Sequence, residues 1–180
     1  ADRKSIRGAI LYSEGGVLKS KASDGMVTAL TPPPMGEIYM QGNSTATTIG
    51  TAGSYVKALG TSTLTPESHH FDMPSNNRLR YTGTKTKMFH VAFTISYKIS
   101  SGNNQEVRMK IYKNGSDITA SLIKDTMRNS SDVNSSAIHV MVSMAQNDYL
   151  ELYLTNQTST NGIIVDTMNL FAMGVSQGSD

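Results

Sequence analysis

Residues 87–100, KMFHVAFTISYKIS, place an aromatic or branched apolar side chain at every second position. Phe89, Val91, Phe93, Ile95, Tyr97 and Ile99 share one face of an extended chain; Met88, His90, Ala92, Thr94, Ser96 and Lys98 share the other. A helix would scatter the first six around its circumference, so the stretch predicts a β-strand of about a dozen residues. The apolar set is a candidate for the core or for a subunit interface.

The residues downstream repeat the pattern. EVRMKIYKNGSD alternates Val107, Met109 and Ile111 against Arg108, Lys110 and Tyr112, then reaches Asn114-Gly115, a strong signal for a two-residue hairpin. Further strands are predicted over residues 138–144, 149–155 and 163–175, with the short AQND (145–148) as a turn. The last strand is apolar on both sides: Ile164, Met168 and Leu170 on one, Val165, Phe171 and Met173 on the other. Such a strand is central in its sheet or lies at a subunit interface. Upstream, GEIYMQ starts a strand with Ile38 and Met40 on one face, and a Thr- and Gly-rich stretch holds short strands near 45–49, 55–59 and 78–81. Roughly eight to ten strands with frequent turn signals predict an all-β antiparallel sandwich with no helix.

Three prolines, Pro32, Pro33 and Pro34, divide the chain. Each lacks an N–H and holds φ near −65°, so the run reads as a stiff, solvated spacer. It separates an N-terminal segment, 1–34, from a head, 35–180. The segment has two short apolar patches, AILY and MVTAL, broken by turn residues at 14–16 and 24–25. Strands this short form no core alone and are expected to pair with another surface. The segment carries Arg3, Lys4, Arg7, Lys19 and Lys21 against Asp2, Glu14 and Asp24, so the whole formal excess of +2 lies before Met35. It reads as an extended attachment arm, with Arg3, Lys4, Ile6, Arg7, Ile10, Leu11 and Tyr12 as candidate contacts.

Composition excludes several functions. Near-neutrality argues against a nucleic-acid binder that works by phosphate neutralisation. The absence of cysteine excludes disulfides and thiolate metal sites and fits assembly in a reducing cytoplasm. No run approaches the roughly 18 apolar residues of a membrane span, and the N-terminus has no apolar signal-peptide core. There is no P-loop, Gly-x-Gly-x-x-Gly or Gly-x-Ser-x-Gly pattern. Glu106, Asp117, Asp125 and Asp132 are scattered through turns. No catalytic residue, cofactor or metal is predicted. His69-His70, if on a strand, would point to opposite faces and could not easily share a metal. His90 and His139 lie on polar-leaning faces, either as half-buried hydrogen-bonded groups or gathered about a three-fold axis. The eleven methionines read as core and interface filling. The tyrosines read as packing, with an exposed glycan-binding cluster as the alternative.

The order of these strands resembles the globular head of complement C1q-like and tumour-necrosis-factor-like proteins. The long aromatic strand KMFHVAFTISYKI precedes VRMKIYKNG, then SAIHVMVSMA, NDYLELYLTN and a closing apolar strand. The resemblance implies a ten-stranded jelly roll assembling as a homotrimer. Where that family often has Gly-Asp before the penultimate strand, this chain has Asn147-Asp148. GEIYM (36–40), NSTATTIG (43–50) and RLRYTG (78–83) also resemble small virion proteins of tailed bacteriophages. That resemblance implies a non-enzymatic role as a capsid decoration (cement) protein on the virion surface. Its partners would be its own copies and the major capsid protein or another virion protein. The alternative is the receptor-binding tip of a tail fibre or spike, recognising a host surface glycan or protein. Phe89, Val91, Phe93, Ile95, Tyr97, Ile164, Met168, Leu170 and Phe171 are the candidates for trimer interface or core.

Overall fold

The computed structural model describes residues 10–14, 17–30 and 32–175. Arg3, Lys4, Ile6 and Arg7 of the expected attachment arm lie outside the described residues. Among those described the structure is all-β, and the only helical turn is a short 3-10 segment, Thr119–Ser121.

The head is two packed antiparallel sheets. Its strands are β4 (Met35–Met40), β5 (Ala46–Thr47), β6 (Val56–Lys57), β7 (Thr63–Leu64), β8 (Phe71–Asp72), β9 (Arg78–Tyr81), β10 (Lys87–Ile99), β11 (Asn103–Lys113), β12 (Ser116–Asp117), β13 (Ile123–Asn129), β14 (Asn134–Met144), β15 (Tyr149–Asn156) and β16 (Ile163–Gly174). One sheet runs β14-β10-β16-β4-β7, with β5 also pairing β16; the other runs β12-β11-β15-β9-β8, with β13 on β11 and β6 on β15. The six alternate side chains of β10, Phe89 to Ile99, are all buried, as the period of two predicts. Val107, Met109 and Ile111 of β11 meet them from the opposite sheet, where Leu150, Leu152 and Leu154 of β15 are also buried. The hairpin at Asn114-Gly115 has φ of 52° and 79°, the left-handed pair that a two-residue connection requires.

Strand β16 is central, between β10 and β4, but its faces differ from those predicted by strict alternation. Ser96 pairs with Thr167 while its neighbour Tyr97 pairs with Val165, so Asp166 is an extra residue in the ladder. A bulge of one residue inverts every side chain beyond it. Ile163 and Val165 therefore point into the core together with Met168, Leu170 and Ala172. Ile164 does not share a face with Met168; it is half-buried on the outer side, as is Phe171.

Two sequence stretches meet at one end of the core. Gly36 of β4 lies under the Phe71 ring, where a Cβ would overlap the ring carbons. Phe71, Tyr81 and Phe89 then form an aromatic cluster with centroids 4.8 to 5.3 Å apart. The Tyr81 hydroxyl donates to the Lys85 carbonyl at 2.9 Å. GEIYM and RLRYTG thus contribute residues that close this end of the sandwich.

The N-terminal segment pairs with itself. β1 (Ile10–Glu14), β2 (Val17–Lys21) and β3 (Val27–Ala29) form a three-stranded antiparallel meander. The turn residues at its second corner make this possible: Gly25 adopts φ of 90°, and the Asp24 carboxylate accepts the Met26 N–H at 2.9 Å. The proline run is only partly a solvated spacer. Pro32 and Pro33 are exposed, but Pro34 is buried against Gly174 and its carbonyl accepts the Gly174 N–H at 2.8 Å.

Candidate interaction surfaces

Two sheets packed face to face leave two outer faces, and these differ in chemistry. On the six-stranded sheet the register lines up side chains in rows across four strands. Met141, His90, Met173 and Met35 form one row; His139, Ala92, Phe171 and Glu37 the next; Ala137, Thr94, Asn169 and Tyr39 the third. Across these rows Glu37 is the one carboxylate, and its side chain accepts from the Asn169 amide. Met141 is 53% exposed and Met173 37%. His90 and His139 come together here, with ring centroids 5.3 Å apart. From the second and third rows onward the face opens into a groove of about 660 Å³, lined by Glu37, Tyr39, Thr94, Ser96, Ser135 and Asn169 among others.

The outer face of the seven-stranded sheet is densely charged and internally paired. The Glu151 carboxylate is 1% exposed beneath Lys57 Nζ at 2.6 Å and Arg78 Nε at 2.8 Å. Arg80 grips Asp72 with two nitrogens, and this holds the Asp72 carboxyl below the usual carboxylate range. Lys110 does the same for Asp117 at 2.6 Å, and Arg108 pairs with Glu106 at 2.6 Å. The aromatic rings are engaged as well. Tyr112 and Tyr153 stack at 4.0 Å, and the Arg78 guanidinium sits 3.9 Å from the centre of Tyr149. On this face Tyr112 and Tyr153 pack against each other and Tyr149 against a cation.

The N-terminal meander has unequal faces too. Register puts Leu11, Ser13, Leu18, Ser20 and Thr28 on one side, and the Leu30 N–H bonded to the Leu18 carbonyl adds Leu30. That side carries no charge. Leu11 is 64% exposed and Leu18 and Leu30 are 49%. The other side bears Ile10, Tyr12, Glu14, Lys19 and Lys21, with Lys19 and Glu14 paired at 2.7 Å. Of the predicted arm contacts, Leu11 falls on the uncharged side and Ile10 and Tyr12 on the charged one.

Of the other predicted site residues, Phe89, Val91, Phe93, Ile95, Tyr97, Met168 and Leu170 are core. Only Ile164 and Phe171 reach the outer face. His69 and His70 do not point apart: their rings lie 4.1 Å from one another, because His70 takes φ of 58° and leaves strand geometry. Among the described residues no group of three or more His, Asp or Glu side chains is placed to hold a metal ion. Sequence reasoning grouped the face residues only strand by strand. The rows Met141–His90–Met173–Met35 and His139–Ala92–Phe171–Glu37 exist only once strand order and register are known.

No protein-family model and no curated protein matches this chain. Solved structures do. The structure of murine APRIL at pH 5.0 matches with TM-score 0.50 at 9% identity, over 77% of this chain and 98% of that one. The fold is a TNF-like jelly roll. Two further matches are PRD1 vertex protein P5, at TM-score 0.49 and 12% identity over 81% of this chain and 99% of that one, and Eiger TNF from S. frugiperda, at 0.48 and 13% over 83% and 97%.

Proposed function

We propose that this chain is a structural protein that assembles as a homotrimer through the outer face of its six-stranded sheet, and that it serves as a capsid decoration protein on a virion. The carrying observation is the contrast between the two outer faces. One pairs most of its charges and sets Arg78 over Tyr149 and Lys110 over Tyr55, as a solvated face does. The other presents exposed Met141 and Met173, half-buried Phe171 and a pair of histidines around a single carboxylate. Surface poor in charge and carrying aromatic and methionine side chains has the composition of an interface core. The likeness of GEIYM and RLRYTG to bacteriophage virion proteins supports the placement on a virion. Attachment falls to the N-terminal segment, and the major capsid protein or another virion protein is the partner.

Native mass spectrometry of the purified chain is expected to give a trimer. Phe171→Arg with Met141→Arg is expected to give a monomer with unchanged β-sheet circular dichroism, because both side chains lie outside the core. A monomeric unsubstituted chain would end the proposal. Copy number on purified virions then tests the role: hundreds of copies in simple ratio to shell subunits fit decoration, and a handful in threes fits a fibre tip.

The fibre-tip alternative has one observation in its favour, the groove of about 660 Å³ lined by hydroxyl and amide groups beside Tyr39, a surface suited to a host glycan. The groove lies on the same face as the proposed trimer contact. A trimer formed there would restrict entry, so soluble glycans would compete with assembly.

A further inference from the structure

We infer that in the assembled protein the uncharged sides of three N-terminal meanders pack against one another, forming a three-sided stalk whose charged sides face outward. This rests on the trimer proposed above. A three-stranded sheet needs a second layer to bury its apolar face, and this one leaves Leu11, Leu18 and Leu30 about half exposed or more. Met26 extends the same side: the Ala22 N–H bonded to the Met26 carbonyl continues the ladder, and Met26 is 63% exposed.

The occupant is a second and third copy of this chain for two reasons. The first is charge. Leu11, Ser13, Leu18, Ser20, Thr28 and Leu30 bring no ionised group to the contact, so identical sides meet without repulsion. Glu14, Lys19 and Lys21 on the other side would face like groups if that side turned inward. The second is the tether. Pro34 is bonded to Gly174, beside the Met35–Met173 pair that opens the proposed trimer face. Four peptide steps from Leu30 to Pro34 reach at most about 14 Å. Trimer formation through that face therefore holds three meanders close together at high effective concentration.

The chain has no cysteine, so one introduced thiol reports on the contact. Ser20→Cys sits mid-face on the central strand, and Lys21→Cys sits next to it on the charged side. Under mild oxidation Ser20→Cys is expected to give disulfide-linked dimers on a denaturing gel, and Lys21→Cys is not. Light scattering on the same samples reports the assembly state. A trimer without a crosslink at position 20, or with equal crosslinking at 21, overturns the stalk, assigns the apolar side to another virion protein and leaves the head trimer standing. A monomer removes both. In a second test, Leu18→Lys is expected to weaken the trimer on the order of tenfold or more. An unchanged dissociation constant would likewise overturn the stalk.

Discussion

Tyr97 donates its hydroxyl hydrogen to the Asp125 carboxylate, so a fully buried ring on β10 of one sheet is tied to β13 of the other. Burial, reinforced by Asp125, holds the Tyr97 phenol far above its ordinary range, so it remains a donor. Asn134 of β14 donates to the same carboxylate. Tyr97→Phe keeps the ring and removes this link together with a longer contact to the Ser136 hydroxyl at 3.3 Å. A hydrogen bond to a charged group contributes about 1.5–3 kcal/mol, and urea denaturation is expected to show a loss in that range. A change under about 0.5 kcal/mol would mean the link adds little.

Acid should destabilise the head. Arg80 lowers the Asp72 carboxyl and Lys110 lowers Asp117. Burial pushes Asp125 and Asp148 up, but hydrogen bonds outweigh it: from Tyr97 and Asn134 on Asp125, and from Asn114, the Ala145 N–H and Lys113 on Asp148. All four titrate lower folded than unfolded, where an aspartate is near 3.9. Their contribution is present above that value and is lost as pH falls through the folded values. The urea midpoint should fall steadily below about pH 4. A midpoint that holds or rises down to about pH 2.5 contradicts this account.

Asn147 has φ of 70° in the turn between β14 and β15, and its N–H bonds the Tyr81 carbonyl at 2.8 Å. The left-handed conformation explains why Asn stands where the resembling family often has Gly. Asn147→Ala should cost about 1–2 kcal/mol, while Asn147→Gly should be tolerated. Thermal unfolding of the two variants checks the order, and Ala melting at or above Gly would refute it.

Gly36 differs from the turn glycines in that space, not φ, forbids a side chain. Gly36→Ala drives a methyl group into the Phe71 ring and disturbs its contacts with Tyr81 and Phe89. The expected loss is about 1–3 kcal/mol. Gly50, with nothing near its Cβ position and no positive φ, is the control, and Gly50→Ala should stay within about 0.5 kcal/mol. Equal losses at both positions would show that packing against Phe71 is not the cause.

Much of the fold was legible. The buried faces of β10 and β11 and the hairpin at Asn114-Gly115 follow from alternation and turn chemistry, and apolar residues on both sides of β16 left a central place in the sheet as one of two readings. The candidate surfaces were less so. Phe171 was named from an apolar strand, but its neighbours Ala92, His139 and Glu37 come from three other strands. No local pattern links them.

Period two by itself determined which side chains of β10 are buried, because successive residues of a strand must point to opposite sides. Residue type marked Asp24-Gly25 as a turn, because that need is local to a few residues. Only the tertiary structure decided the faces of β16, since the bulge at Asp166 depends on how that strand is paired with β10 and carries no separate sequence signal. Only it decided that the N-terminal strands pair with one another and that Pro34 is held against Gly174. Those outcomes depend on contacts between residues far apart in the chain, where many pairings are compatible with the same local preferences.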